Sequence, residues 1–129
     1  MSSVLIVDDN PEMHRLYRTA LQRCGYRLLA ATTGAEALLA MSMHLPDLIL
    51  LDLAMPEMDG VAFLQVLRNE PEWRVVPVIV ITAFGTVNDL EMTKRLGVAG
   101  HLVKAAFSIK QLRAQIEACI GSSGAANAA

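Results

Sequence analysis

Apolar positions along the chain fall into short β-type runs and longer segments in which they recur three and four residues apart. Val4–Val7, Arg27–Ala31, Leu48–Asp52, Pro77–Thr82 and His101–Lys104 read as strands. The third and fourth are almost continuously apolar, as expected of central strands covered on both faces. Between them the period changes to that of a helix. Met13, Leu16, Tyr17, Ala20, Leu21 and Cys24 share one spacing; Pro11 suits the first helical position, Asp9 or Asn10 can cap, and Gly25 stops the run. Thr33 with Glu36 forms a capping-box pattern that opens a helix to about Met43. Asp59-Gly60 leads into another, to about Leu67, and Val87 to Leu96 forms a fourth ending at Gly97. Ser108 with Gln111 caps the last, which carries Ile109, Leu112, Ile116 and Ile120 on one face.

Five strands alternating with five helices predict an α/β fold: a doubly wound parallel sheet with right-handed crossovers, in three α/β/α layers. The 129 residues suffice for one domain with a real core. That domain is expected over 1–121, with the small, polar 122–129 as a flexible tail or linker stub. A formal charge of −2 lacks the basic footprint of direct nucleic-acid binding. The apolar runs are too short to span a bilayer, and no signal peptide is expected. Cys24 and Cys119 fit reduced thiols. A soluble, cytoplasmic protein is the expectation.

The polar residues that interrupt this pattern stand at strand ends. Asp8 and Asp9 close the first strand, Asp52 the third, Thr82 the fourth and Lys104 the fifth. In a parallel sheet those ends share one edge, the edge at which open α/β sheets bind ligands. Three carboxylates brought together repel unless a cation neutralises them. Mg²⁺ (or Mn²⁺) suits such a site, since it takes one or two carboxylates and keeps several waters. Asp9 and Asp52 can ligate directly, Asp8 through water, and the Ala54 carbonyl can add a backbone ligand. An ionised Asp52 can then attack phosphorus as a nucleophile. Lys104 supplies a point charge, Thr82 a hydroxyl, and Ala83 an unobstructed amide toward phosphoryl oxygens. His14 and His44 lack partners at metal-ligand spacing and read as solvent-facing helix residues.

These motifs together resemble the receiver domain of two-component response regulators, from about Ser3 to Ile120. The matching segments are Val7-Asp8-Asp9, Asp52-Leu53-Ala54-Met55-Pro56-Glu57-Met58-Asp59-Gly60, Ile81-Thr82-Ala83, and Lys104 after the last strand. The resemblance implies a flavodoxin-like fold and a Mg²⁺-dependent phosphorylation of Asp52 by a sensor histidine kinase or histidine phosphotransferase. It implies a switch in which Thr82 moves toward the phosphoryl group and His101 turns inward. That repacks the face of the fourth helix, fifth strand and fifth helix, which a downstream protein or effector domain reads. The implied state is a monomer or a phosphorylation-dependent dimer, and a phosphoacceptor rather than an enzyme acting on a separate substrate.

Two departures stand out. The family's lysine is usually followed by a cis proline, whereas this chain reads Lys104-Ala105-Ala106-Phe107, so a trans peptide is expected there. His101 takes a position where tyrosine or phenylalanine is common. Ala54 and Phe84 offer no polar group to orient an attacking water, which predicts slow autodephosphorylation. The altered lysine loop keeps open an alternative, a phosphate-independent interaction module of the same fold. A haloacid-dehalogenase-type hydrolase would need an acid where Ala54 stands, and a flavodoxin proper would need a phosphate-cradling rather than acidic first loop.

Overall fold

The computed structural model describes residues 2–53, 60–83, 87–104 and 106–121, with 87–89 described at the backbone only. Among them the order is β1 (Ser3–Val7), α1 (Pro11–Leu21), β2 (Arg27–Ala31), α2 (Gly34–Met43), β3 (Leu48–Leu51), α3 (Gly60–Asn69), β4 (Val78–Thr82), α4 (Val87–Leu96), β5 (Gly100–Val103) and α5 (Ile109–Ile120). The strands form one parallel sheet in the order β2-β1-β3-β4-β5. The reversal between β1 and β3 creates the switch point at which this class of sheet opens a crevice. Strand residues alternate between two cores. Leu5, Val7, Ile49, Leu51, Val78 and Val80 pack in one with Phe63, Leu64 and Leu67 of α3. Val4, Ile6, Leu48, Leu50, Ile79 and Ile81 pack in the other with Tyr17 and Leu21 of α1 and Leu112 and Ile116 of α5. Helices on both faces explain why the central strands have no polar side.

The local signals act largely as expected. Asn10 caps α1 by accepting from the Glu12 amide at 2.9 Å, and Pro11 is its first residue. The α-helix ends at Leu21; Gln22–Cys24 tighten into a 3₁₀ turn before Gly25 reverses the chain at φ 78°. Ser108 and Gln111 form the full capping box of α5. At α2 the box is displaced. Thr33 caps the Glu36 amide at 3.0 Å, but the Glu36 carboxylate reaches back to the amide and hydroxyl of Thr32, each at 2.7 Å. Asp52, Pro77 and Lys104 lie just outside their strands, and Gly100 begins β5. The segment 122–129 lies outside the described residues.

Candidate functional site

Three strand ends are tied to their neighbours by backbone hydrogen bonds that continue the sheet. The Asp8 amide donates to the Ala31 carbonyl (3.1 Å), Asp52 to Val7 (2.9 Å), and Lys104 to Thr82 (3.0 Å). Residues remote in sequence are thereby held on one rigid edge. Gly60 presses α3 against it: its amide donates to the Leu53 carbonyl at 2.7 Å. A Cβ there would lie 2.5 Å from both the Asp52 carbonyl oxygen and Leu53 Cα, so only glycine fits.

On this edge, carboxylate oxygens of Asp8, Asp9 and Asp52 lie within 4.8 Å of one another. Asp8 and Asp52 are buried, at 1% and 4% exposure, and Asp9 is open to solvent. The Lys104 ammonium stands between the buried pair, 2.9 Å from Asp8 Oδ2 and 3.1 Å from Asp52 Oδ2. Burial alone would lower the Lys104 pKa. Its contacts with Asp8 and then Asp52 outweigh that and hold the ammonium above the usual lysine range. Asp8 Oδ1 accepts from the Asn10 amide at 2.9 Å, while Oδ2 is buried without a well-directed hydrogen bond. Beneath the site, burial pushes the Tyr17 phenol well up, helped by the charges of Asp8 and Asp52.

The three carboxyl groups form an all-oxygen, acidic donor set whose chemistry fits a hard divalent cation, with Asp9 open to solvent. Thr82 is buried at the same edge, one residue before exposed Ala83. Ala54, Phe84 and Ala105 lie outside the described residues, and with them the expected carbonyl ligand, the water path and the trans peptide. The amides of Ala106 and Phe107 both donate to the Val103 carbonyl, at 3.0 and 3.1 Å. Lys104 thus meets both carboxylates without a proline to set its loop.

His101 sits on β5 opposite Val80 and is half-buried. Its Nε2 lies 2.8 Å from the hydroxyl of fully buried Thr93 on α4. That hydroxyl spends its one proton on the Leu90 carbonyl at 2.9 Å, so Nε2 must be the donor. Burial, then the charge of Lys94, lowers the pKa of the ring.

One expectation is overturned. His14 does not face solvent: it is buried at 6% exposure, with Nε2 2.7 Å from the Asp8 carbonyl oxygen. Its position three residues before Tyr17 and seven before Leu21 put it on the buried stripe of α1, and that spacing was the available signal. His44 is exposed, as expected. Arg68 carries no comparable sequence signal. From α3 its guanidinium binds the carbonyls of Leu96 (2.7 Å), Gly97 (2.8 Å), Arg74 (3.1 Å) and Val76 (3.2 Å), joining the end of α4 to the approach to β4.

The family model of the response regulator receiver domain matches residues 4–117. The KDP operon transcriptional regulatory protein KdpE of Escherichia coli is 38% identical over 120 residues, covering 93% of this chain and 52% of that protein. A probable transcriptional regulator, ycf27, of Pyropia yezoensis is 38% identical over 117 residues, covering 91% and 46%. The chain therefore spans about half the length of these relatives. The solved structure of the chemotaxis protein CheY4 of Vibrio cholerae superposes with a TM-score of 0.84 at 28% identity, covering 92% of this chain and 98% of that one.

Proposed function

The chain belongs to the response regulator receiver domain family, and from that membership we propose that it is a switch thrown by phosphorylation of Asp52. The phosphoryl group comes from a phosphohistidine of a sensor kinase or phosphotransferase. The observation that carries this reading is the Lys104 ammonium held between buried Asp8 and Asp52, with Asp9 open beside them. A carboxylate oxygen of Asp52 bonds to phosphorus as the phosphorus–nitrogen bond of the donor breaks, and the imidazole leaves with that electron pair. Lys104, already on the Asp52 carboxylate, has ammonium hydrogens to offer an incoming phosphoryl oxygen, as do the Thr82 hydroxyl and the Ala83 and Ala54 amides. Asp9 and Asp52 would hold Mg²⁺ or Mn²⁺ directly, with the Ala54 carbonyl, and Asp8 through water; when bound, the ion neutralises phosphoryl oxygens.

Recruitment of Thr82 toward the phosphoryl group is coupled to His101, whose hydrogen bond to Thr93 joins β5 to α4. Exchange of that bond changes the α4–β5–α5 face, which a downstream protein or effector domain reads. The relatives named as transcriptional regulators are about twice as long as this chain; the receiver acts as a monomer or a phosphorylation-dependent dimer. Among the described residues no helix is long and apolar enough to cross a membrane, and a cytoplasmic site of action fits this role. The receiver unit is 1–121. The test is intact-mass analysis after incubation with acetyl phosphate. A Mg²⁺-dependent gain of one phosphoryl group, absent in Asp52→Asn, is expected. A chain that binds Mg²⁺ yet accepts nothing from either this donor or a phosphohistidine donor would overturn the reading in favour of a phosphate-independent module.

A further inference from the structure

Among the described residues the His14 side chain makes one hydrogen bond, and it falls on the acidic centre. A carbonyl oxygen only accepts, so the 2.7 Å contact with Asp8 requires the hydrogen on Nε2. Nδ1 is buried and has no hydrogen-bond partner among the described residues. A buried polar nitrogen left unmatched carries a desolvation penalty. The fold tolerates it where the other nitrogen grips the peptide that joins Asp8 to Asp9.

That peptide decides where Asp9 points. Asp8 is held by its amide on Ala31, its carboxylate on the Asn10 amide, and its carbonyl on His14. The last of these fixes the plane shared with Asp9, which is exposed and leaves the turn in the direction that plane sets. We infer that His14 is a positioning residue for the cation site, orienting the Asp8–Asp9 turn through the Asp8 carbonyl. Partners that orient ligands from behind typically change metal affinity about 10–100-fold when removed. The inference rests on the functional reading above, since it concerns the same cation.

The experiment measures Mg²⁺ affinity by calorimetry on the whole chain, with urea denaturation in parallel, for wild type, His14→Leu, His14→Gln and His14→Asn. Glutamine brings an amide N–H near the place of Nε2; asparagine brings one near Nδ1, too short to reach Asp8. His14→Leu and His14→Asn are expected to weaken Mg²⁺ binding by about tenfold or more, while His14→Gln stays near wild type. With acetyl phosphate, the half-saturating Mg²⁺ concentration rises in the first two, and the rate at saturating Mg²⁺ stays close to wild type. A merely structural histidine would change the denaturation midpoint and leave the affinity of the folded protein alone. Wild-type affinity in folded His14→Leu, or equal affinities in the Gln and Asn variants, would overturn the inference. The Gln and Asn pair decides it if His14→Leu does not fold. A wild type that binds no Mg²⁺ would overturn the functional reading and this inference together.

Discussion

Gly60→Ala sets two effects of opposite sign against each other. In a helix, alanine is favoured over glycine by about 0.5–1 kcal/mol, so propensity alone predicts a stabilised α3. The structure predicts the reverse. The new Cβ would stand 2.5 Å from the Asp52 carbonyl oxygen and from Leu53 Cα, whereas ordinary contact begins at 3.4 Å. Both obstacles are backbone, so no side-chain rotation relieves them, and α3 or the end of β3 must move by nearly the whole shortfall. Overpacking of this kind costs about 1–3 kcal/mol; set against the propensity gain, it leaves a net loss of up to about 2.5 kcal/mol. The displaced segment carries Asp52, and misplacing a reacting group by about 1 Å can cost about 100-fold in rate. Urea denaturation measures the first effect, and the initial rate of phosphoryl uptake from acetyl phosphate measures the second. An alanine variant as stable as wild type and as fast would refute the claim that α3 is seated directly on the backbone of the Asp52 segment.

Removing the ammonium in Lys104→Met leaves Asp8 and Asp52 buried without their bridging cation. A loss of about 3 kcal/mol is expected in the absence of Mg²⁺. Saturating Mg²⁺ should narrow the gap in Tm to wild type; a gap that does not depend on Mg²⁺ would count against a shared cation site. Arg68→Met removes four bonds to carbonyls and is expected to cost about 3 kcal/mol, with Arg68→Lys failing to restore it because one ammonium cannot span them. Denaturant midpoints of the two variants decide this. NMR titration of His101 should give the Nε2–H tautomer and a pKa below the ordinary histidine value of 6.5. The folded chain then binds the proton less readily than the unfolded one, so this group's contribution to stability falls as pH drops through 6.5 toward the folded value. A raised pKa would contradict the burial of the ring beside Lys94, and the Nδ1–H tautomer would contradict the bond to Thr93.

Strand positions and site residues were legible for a common reason. Runs such as Leu48–Leu51 and Val78–Thr82 are apolar on both faces, and a polar residue ending such a run must lie at the sheet edge. Asp8, Asp52 and Thr82 announce themselves in this way. Asp9 and Lys104, one residue further along, follow from the same strand ends. Helical spacing marks His14 as part of the buried stripe of α1, but the partners of His14 and Arg68 were illegible for the opposite reason: they are backbone carbonyls, which every residue carries and no pattern marks. The displaced capping box of α2 shows the same blindness. Glu36 lies at the right spacing from Thr33, yet its carboxylate goes to Thr32, which offers an amide and a hydroxyl together. His101 was placed by resemblance, but its hold on Thr93 depends on the packing of β5 against α4.

The central claim is that Asp52, among all the acids of the chain, takes the phosphoryl group. Borohydride reduction of the phosphorylated protein converts an acyl phosphate to homoserine, and peptide mass spectrometry then reads its position. Homoserine at position 52 and at no other acid, formed only with Mg²⁺ present, is the predicted result. Reduction at Asp8, Asp9 or another acid, with residue 52 still aspartate, would contradict it.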